Sequence, residues 1–143
     1  MTDWGSVLVS GYGWGDSIED SPKHVTQFTS NPVKGDGFVH RASGQHTIQV
    51  HTVNFSGNIA FEATMGRDPN IGPWVQVPVT NTLSSDVYQN LQFQYDIPVP
   101  GIPSSGKTLE LNDFYYIVGN YTWIRANVSN ISGGDIMSIK LAF

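Results

Sequence analysis

The strongest constraint in this chain is a period of two. In "HTIQVHTV", Ile48 and Val50 face one way and Gln49 and His51 the other. In "NIAFEATM", Ile59, Phe61, Ala63 and Met65 fall on one side, with Ala60, Glu62 and Thr64 on the other. "WVQVPV" and "LQFQYDI" repeat the pattern, the latter through Leu91, Phe93, Tyr95 and Ile97. Successive side chains of a strand point to opposite faces, so each stretch has one buried and one wetter side. No long 3.6-residue stripe competes, because Gly and Pro recur too often and β-branched residues dominate between them. One short helical turn is expected at "LSSDVYQNL", where Ser84 would cap and Val87 and Leu91 would form the stripe.

Turn chemistry separates these stretches. "FSGN" reads as a tight hairpin between two strands. "GRDPNIGP" reads as a longer loop in which Pro69 and Pro73 set φ and Gly72 is free for positive φ. "IPVPGIPSSGK" cannot pair as a central strand. Near the C-terminus, Thr122, Ile124, Ala126 and Val128 form one face, and Tyr121, Trp123, Arg125 and Asn127 the other. "SGGD" then turns the chain, and Met137, Ile139, Leu141 and Phe143 line the core side of a last strand. Short strands so punctuated predict an all-β fold: one domain, a jelly-roll-like β-sandwich over residues 25–143. Residues 1–24 carry Trp4, Tyr12 and Trp14 among Gly and Ser. They are read as an extended N-terminal arm that docks on a neighbouring subunit, or as an edge segment folded on its own domain.

Composition narrows the function classes. There is no Cys, which removes disulfides and thiolate metal sites. The formal net charge of -5 gives no basic face for nucleic acid. Only 13% of residues are charged while 12% are aromatic, a balance that suits surfaces covered by neighbouring subunits. The opening "MTDWGSVLVSGYGWGD" lacks the basic and apolar regions of a signal peptide. No apolar run approaches the roughly 20 residues that span a bilayer. A chain that is soluble where it is made is expected.

No catalytic constellation emerges. Of His24, His40, His46 and His51, His46 and His51 are five apart and point to opposite faces of one strand; His40 and His51 could meet across strands, but nothing in the spacing demands it. The carboxylates, Glu62 and Glu110 among them, are scattered rather than paired across a cleft. "GYGWGD" lacks the spacing of a nucleotide fingerprint, and no G-x-S-x-G elbow occurs. Asp68, Asn70 and Asp135 are the loop oxygens a calcium ion would use, although Asx-turns are the commoner reason for such residues. The sequons at Asn54, Asn120, Asn127 and Asn130 are what chance supplies in a chain rich in Asn, Ser and Thr. Trp123 and Arg125 suggest a cation–π pair at i, i+2, with same-face packing as the plainer account. The expectation is no enzyme, no cofactor and no metal.

Three stretches carry a resemblance. "PVKGDGFVHRASGQHTIQV", "FSGNIAFEATMGRDPNIGPWVQV" and "GNYTWIRANVSNISGGDIMSIKLAF" are similar to small virion structural proteins of tailed bacteriophages, those of T4-like cyanophages in particular. The shared elements are a K-G-D-G-[FY] turn, a G-x-H-T-[IV]-Q strand, a G-x-I-x-[FI]-x-A-T strand, a loop ending in Trp, and G-N-[FY]-x-W-[IV]-R-A. Pro32 to Trp74 and Gly119 to Phe143 carry the match; the first 30 residues and Pro78 to Asp113 do not. The resemblance implies a non-enzymatic, homo-oligomeric building block of the virion, in a capsid decoration, neck or tail, contacting copies of itself and other virion proteins. A trimer is the expected symmetry, with Trp4, Tyr12 and Trp14 at the subunit interface. The alternative is a carbohydrate-binding module for host-surface glycan, with Trp74, Tyr115 and Trp123 as its platform.

Overall fold

A computed structural model describes residues 6–9, 12–13, 27–39, 44–95 and 109–142. The elements in chain order are β1 (Ser6–Val9), β2 (Tyr12–Gly13), β3 (Phe28–Thr29), β4 (Val33–Lys34), a 3₁₀ turn (Asp36–Val39), β5 (Gln45–Thr64), β6 (Val75–Val77), β7 (Val79–Asn81), β8 (Val87–Tyr88), β9 (Leu91–Phe93), β10 (Glu110–Val118) and β11 (Trp123–Ala142). The all-β expectation holds. Among the described residues, the eleven strands form one antiparallel sheet.

Its spine is the pair β5 and β11, each 20 residues long and matched almost end to end, from Trp123↔Thr64 to Ala142↔Thr47. Fully extended, such strands would reach roughly 65 Å. Yet the two ends of β5 meet. The Thr64 carbonyl accepts the Thr122 N–H at 2.9 Å, while His46 stacks on Tyr121 with ring centroids 6.4 Å apart. The spine is therefore folded over in the middle.

The fold-over is written in the burial pattern. In β5 the buried positions are even at Ile48, Val50 and Thr52, then odd at Phe55, Ile59, Phe61 and Ala63. One extra residue has entered at Asn54, whose φ is 53°. In β11 the inward set runs Ile124, Ala126, Val128, then Ile131, Ile136, Ile139 and Leu141, with register shifts between Ser129 and Ser138. Asn130 (φ 52°) and Gly134 (φ 85°) take left-handed conformations there. An extra residue on one strand bends it and strengthens its twist, which lets one sheet close over its own apolar face.

The result is two layers joined by continuous strands. The first halves of β11 and second half of β5 carry β3 and β4 on one flank and β6 and β9 on the other. The remaining halves carry β1 and β2 on one flank and β10, β7 and β8 on the other. The chain crosses from β6 to β7 through Pro78 alone, with Val77 and Val79 buried on either side. Each fully buried Ile, Val or Phe contributes about 1.5–3 kcal/mol of transfer free energy.

Several expectations are corrected. "FSGN" and "SGGD" do not reverse the chain; they lie inside β5 and β11 and bend them. Leu83 to Leu91 is not helical: Ser85 takes a left-handed φ of 63°, the Asp86 carbonyl accepts the Asn81 N–H at 2.9 Å, and the turn leads into β8 and β9. Met65 lies beyond the end of β5 and is 74% exposed. The shift between Ile136 and Ser138 puts Ile136 in the core and Met137 outside. For residues 1–24 both readings, arm and edge segment, stand: the described β1 and β2 pair with β11 of the same chain, and Leu8 and Val9 are buried. Ile97 and Phe143 lie outside the described residues.

Candidate functional site

The outer face of the first layer gathers aromatic and cationic side chains. Arg125 on β11 is in register with Glu62 on β5, and its Nε donates to Glu62 Oε1 at 2.8 Å. The guanidinium carbon lies 4.1 Å from the ring centroid of Trp74, so the cation–π partner of Arg125 is Trp74, not Trp123. Trp123 meets the edge of Phe38 at 5.3 Å, and Lys34 Nζ sits 4.4 Å from the Phe38 ring. The two indoles pin the loop between β5 and β6: Trp74 Nε1 donates to the Pro69 carbonyl at 3.0 Å and Trp123 Nε1 to the Arg67 carbonyl at 2.9 Å.

These groups are engaged with one another. A sugar platform presents an open ring face with free polar groups around it. Here both indole N–H groups serve the chain's own loop, and Arg125 covers the Trp74 ring. Tyr115 is elsewhere: it faces the core from β10 and is 5% exposed. Burial above all, then the nearby Asp113 and Tyr88, push its phenol up to about 12, against an opposing hydrogen bond from Asn81. Trp74 and Trp123 therefore share a surface that Tyr115 does not join.

Where the ends of β5 converge lies a buried polar knot. Asp36 and His46 are both 0% exposed. His46 Nε2 accepts the Asp36 N–H at 2.8 Å, and Asp36 Oδ2 accepts the Gly44 N–H. With Nε2 accepting, the ring proton resides on Nδ1. Burial holds the His46 pKa below its ordinary value of 6.5, against opposing effects of the Ile117 backbone and the Asp36 charge. Gly35 is required beside it, since a Cβ there would stand 2.4 Å from the Tyr121 carbonyl oxygen. A neutral imidazole tied in this way joins the 3₁₀ turn to β5 and has no lone pair free to take a substrate proton.

The remaining candidates do not converge. His51 faces outward with Nε2 3.4 Å from Glu110 Oε1, on the face opposite His46. Asp68 accepts the Asn70 N–H at 2.9 Å in an Asx-turn, while Asp135 lies in β11 opposite Val53. Among the described residues, no three His, Asp or Glu side chains are placed to hold a metal ion. An open groove of about 810 Å³ runs along the bend, lined by small polar groups such as Asn54, Ser56, Asn130 and Ser132, with Asp135 as its acid. A smaller apolar hollow of about 390 Å³ lies between Met65, Pro73, Val75 and Tyr121. His24, His40, Trp4 and Trp14 fall outside the described residues; the backbone of Tyr12 pairs with Ile136.

Sequence reasoning left Lys34, Asp36, Phe38 and Glu62 without roles. The first three were visible as one K-G-D-G-[FY] turn, whose spacing puts Asp36 in the knot and Phe38 against Trp123. Glu62 could be assigned only from the cross-strand register.

No protein-family model and no curated protein sequence matches the chain. Among solved structures, the crystal structure of the SPBc2 prophage-derived protein YomS is similar, with a TM-score of 0.53 at 10% identity. The similarity covers 92% of this chain and 89% of that one. The chain thus shares its fold, over nearly its whole length, with a protein of prophage origin.

Proposed function

We propose that this chain is a structural protein of a bacteriophage particle, a non-enzymatic and self-associating β subunit of a capsid decoration, neck or tail. The observation that carries the reading is the whole-length fold similarity to a prophage-derived protein. The local chemistry supports it: His46, Trp74, Trp123 and Arg125 are used to fasten turns and loops to the sheet. A protein so built acts through shape and buried surface. Its partners in this reading are copies of itself and other particle proteins, and its location is the virion.

The test is to raise antibody against the purified chain and label purified particles of the phage that encodes it. Regular labelling at one place on the particle is expected. Particles that carry none of the chain by immunoblot would remove the reading.

A further inference from the structure

The outer face of the second layer is nearly uncharged. Register puts Val7, Lys140, Gln49 and Phe114 in one row across β1, β11, β5 and β10. The next row runs Ala142, Thr47, Tyr116, Thr80 and Val87. Beyond it lie Gln45 and Val118. Large apolar groups stand out from this face: Val7 is 51% exposed, Phe114 49%, Val87 62% and Val118 65%. Lys140 is the cation within these rows, and the acids are set along one end, with Glu110 and Asp135 both opposite Val53. His51, one row inward, stands beside Glu110.

We propose that this face is an isologous interface, and that its occupant is the same face of a second copy of the chain. This rests on the reading above of a self-associating subunit and names the surface. Charge complementarity argues for it. Lys140 and Glu110 flank β5 on opposite sides and lie four residues apart in register, opposite Gln49 and Val53. A twofold axis between two copies, crossing midway between these positions, places Lys140 of each opposite Glu110 of the other. With strands about 4.8 Å apart and a rise of about 3.3 Å per residue, that axis passes close to Phe114. Phe114 then packs on its own counterpart, the central aromatic of a twofold contact.

Two further points favour self-pairing. Each copy carries a formal net charge of -5, and pairing through a face with few charges keeps the desolvation cost low. The strip also has a useful size: about eight residues each of β11, β5 and β10, with the short β1, β7 and β8 beside them, give about 500 Å² per copy. Two such faces bury about 1,000 Å², about the least that a specific interface needs.

Sedimentation equilibrium on the full chain at pH 8 tests this, with Phe114→Asp, Lys140→Glu, Glu110→Lys and the Lys140→Glu/Glu110→Lys double variant. All the positions are exposed, and far-UV circular dichroism checks that each variant is folded. Phe114→Asp and each single charge reversal should weaken the twofold association about tenfold or more, and the double reversal should restore it. If the native chain assembles but none of the variants changes the dissociation constant, this face is wrong and self-association stands. If the native chain is a monomer at every concentration, both the face and the self-associating subunit fall.

Discussion

Asp36 and His46, ten residues apart in sequence, meet in the core, where the Asp36 N–H donates to the His46 Nε2 across 2.8 Å. That bond requires a neutral ring. Because burial lowers the His46 pKa in the folded chain, the unfolded chain binds the proton first as acid is added. Stability is then complete above the ordinary value of 6.5 and declines as the pH falls below it, until the lower folded value is reached. Urea midpoints between pH 8 and pH 5 should show the decline, and His46→Gln should reduce the slope in that window.

Arg125 is predicted to resist replacement by Lys. Its planar guanidinium both stacks on Trp74 at 4.1 Å and donates to Glu62 at 2.8 Å. An ammonium keeps the charge but not the stacked plane. Arg125→Lys should cost about 0.5–2 kcal/mol in chemical denaturation and alter Trp fluorescence.

Gly134 and Gly133 offer a matched pair at the bend. A Cβ on Gly134 would lie 2.0 Å from the Asn54 carbonyl oxygen, at a φ of 85°, whereas a Cβ on Gly133 meets nothing within 4 Å. Gly134→Ala should lose about 3 kcal/mol or more, and Gly133→Ala less than about 1 kcal/mol. Comparable thermal shifts for the two would contradict this account of the fold-over.

Tyr115 should titrate late. Its phenol is pushed up to about 12, chiefly by burial. An unfolded phenol ionises near 10, so stability is complete below that pH and is lost as the pH rises from about 10 toward 12. Ultraviolet titration should show a delayed phenolate that disappears in Tyr115→Phe.

The strands were legible because alternation is local: Ile48, Val50, Ile59, Phe61, Ala63, Ile124, Ala126 and Val128 were placed inward by parity and all are buried. The path was less legible. Gly, Ser and Asn in "FSGN" and "SGGD" announce unusual φ but not whether the chain reverses or bends. Only the partner strand decides, and here each partner bulges at the same level. The Leu83–Leu91 helix failed for a related reason: Ser85 takes a left-handed φ of 63°, which stops the turn, and the Asp86 carbonyl accepts the Asn81 N–H to start the β7–β8 pairing. Of the candidate aromatic platform, Trp74 and Trp123 were placed on one surface by a loop and a register that no local pattern encodes. Tyr115 sits on the core parity of β10, which could be known only once its pairing with Ile48 was fixed.

Because β5 and β11 run without a break through both layers, the described residues have no seam along which one layer could slip past the other. A load applied across the molecule would have to shear the central ladder rather than peel two separate sheets apart. A single residue inserted in either spine strand away from the bend would turn the side chains beyond it to the other face unless a new bulge took it up.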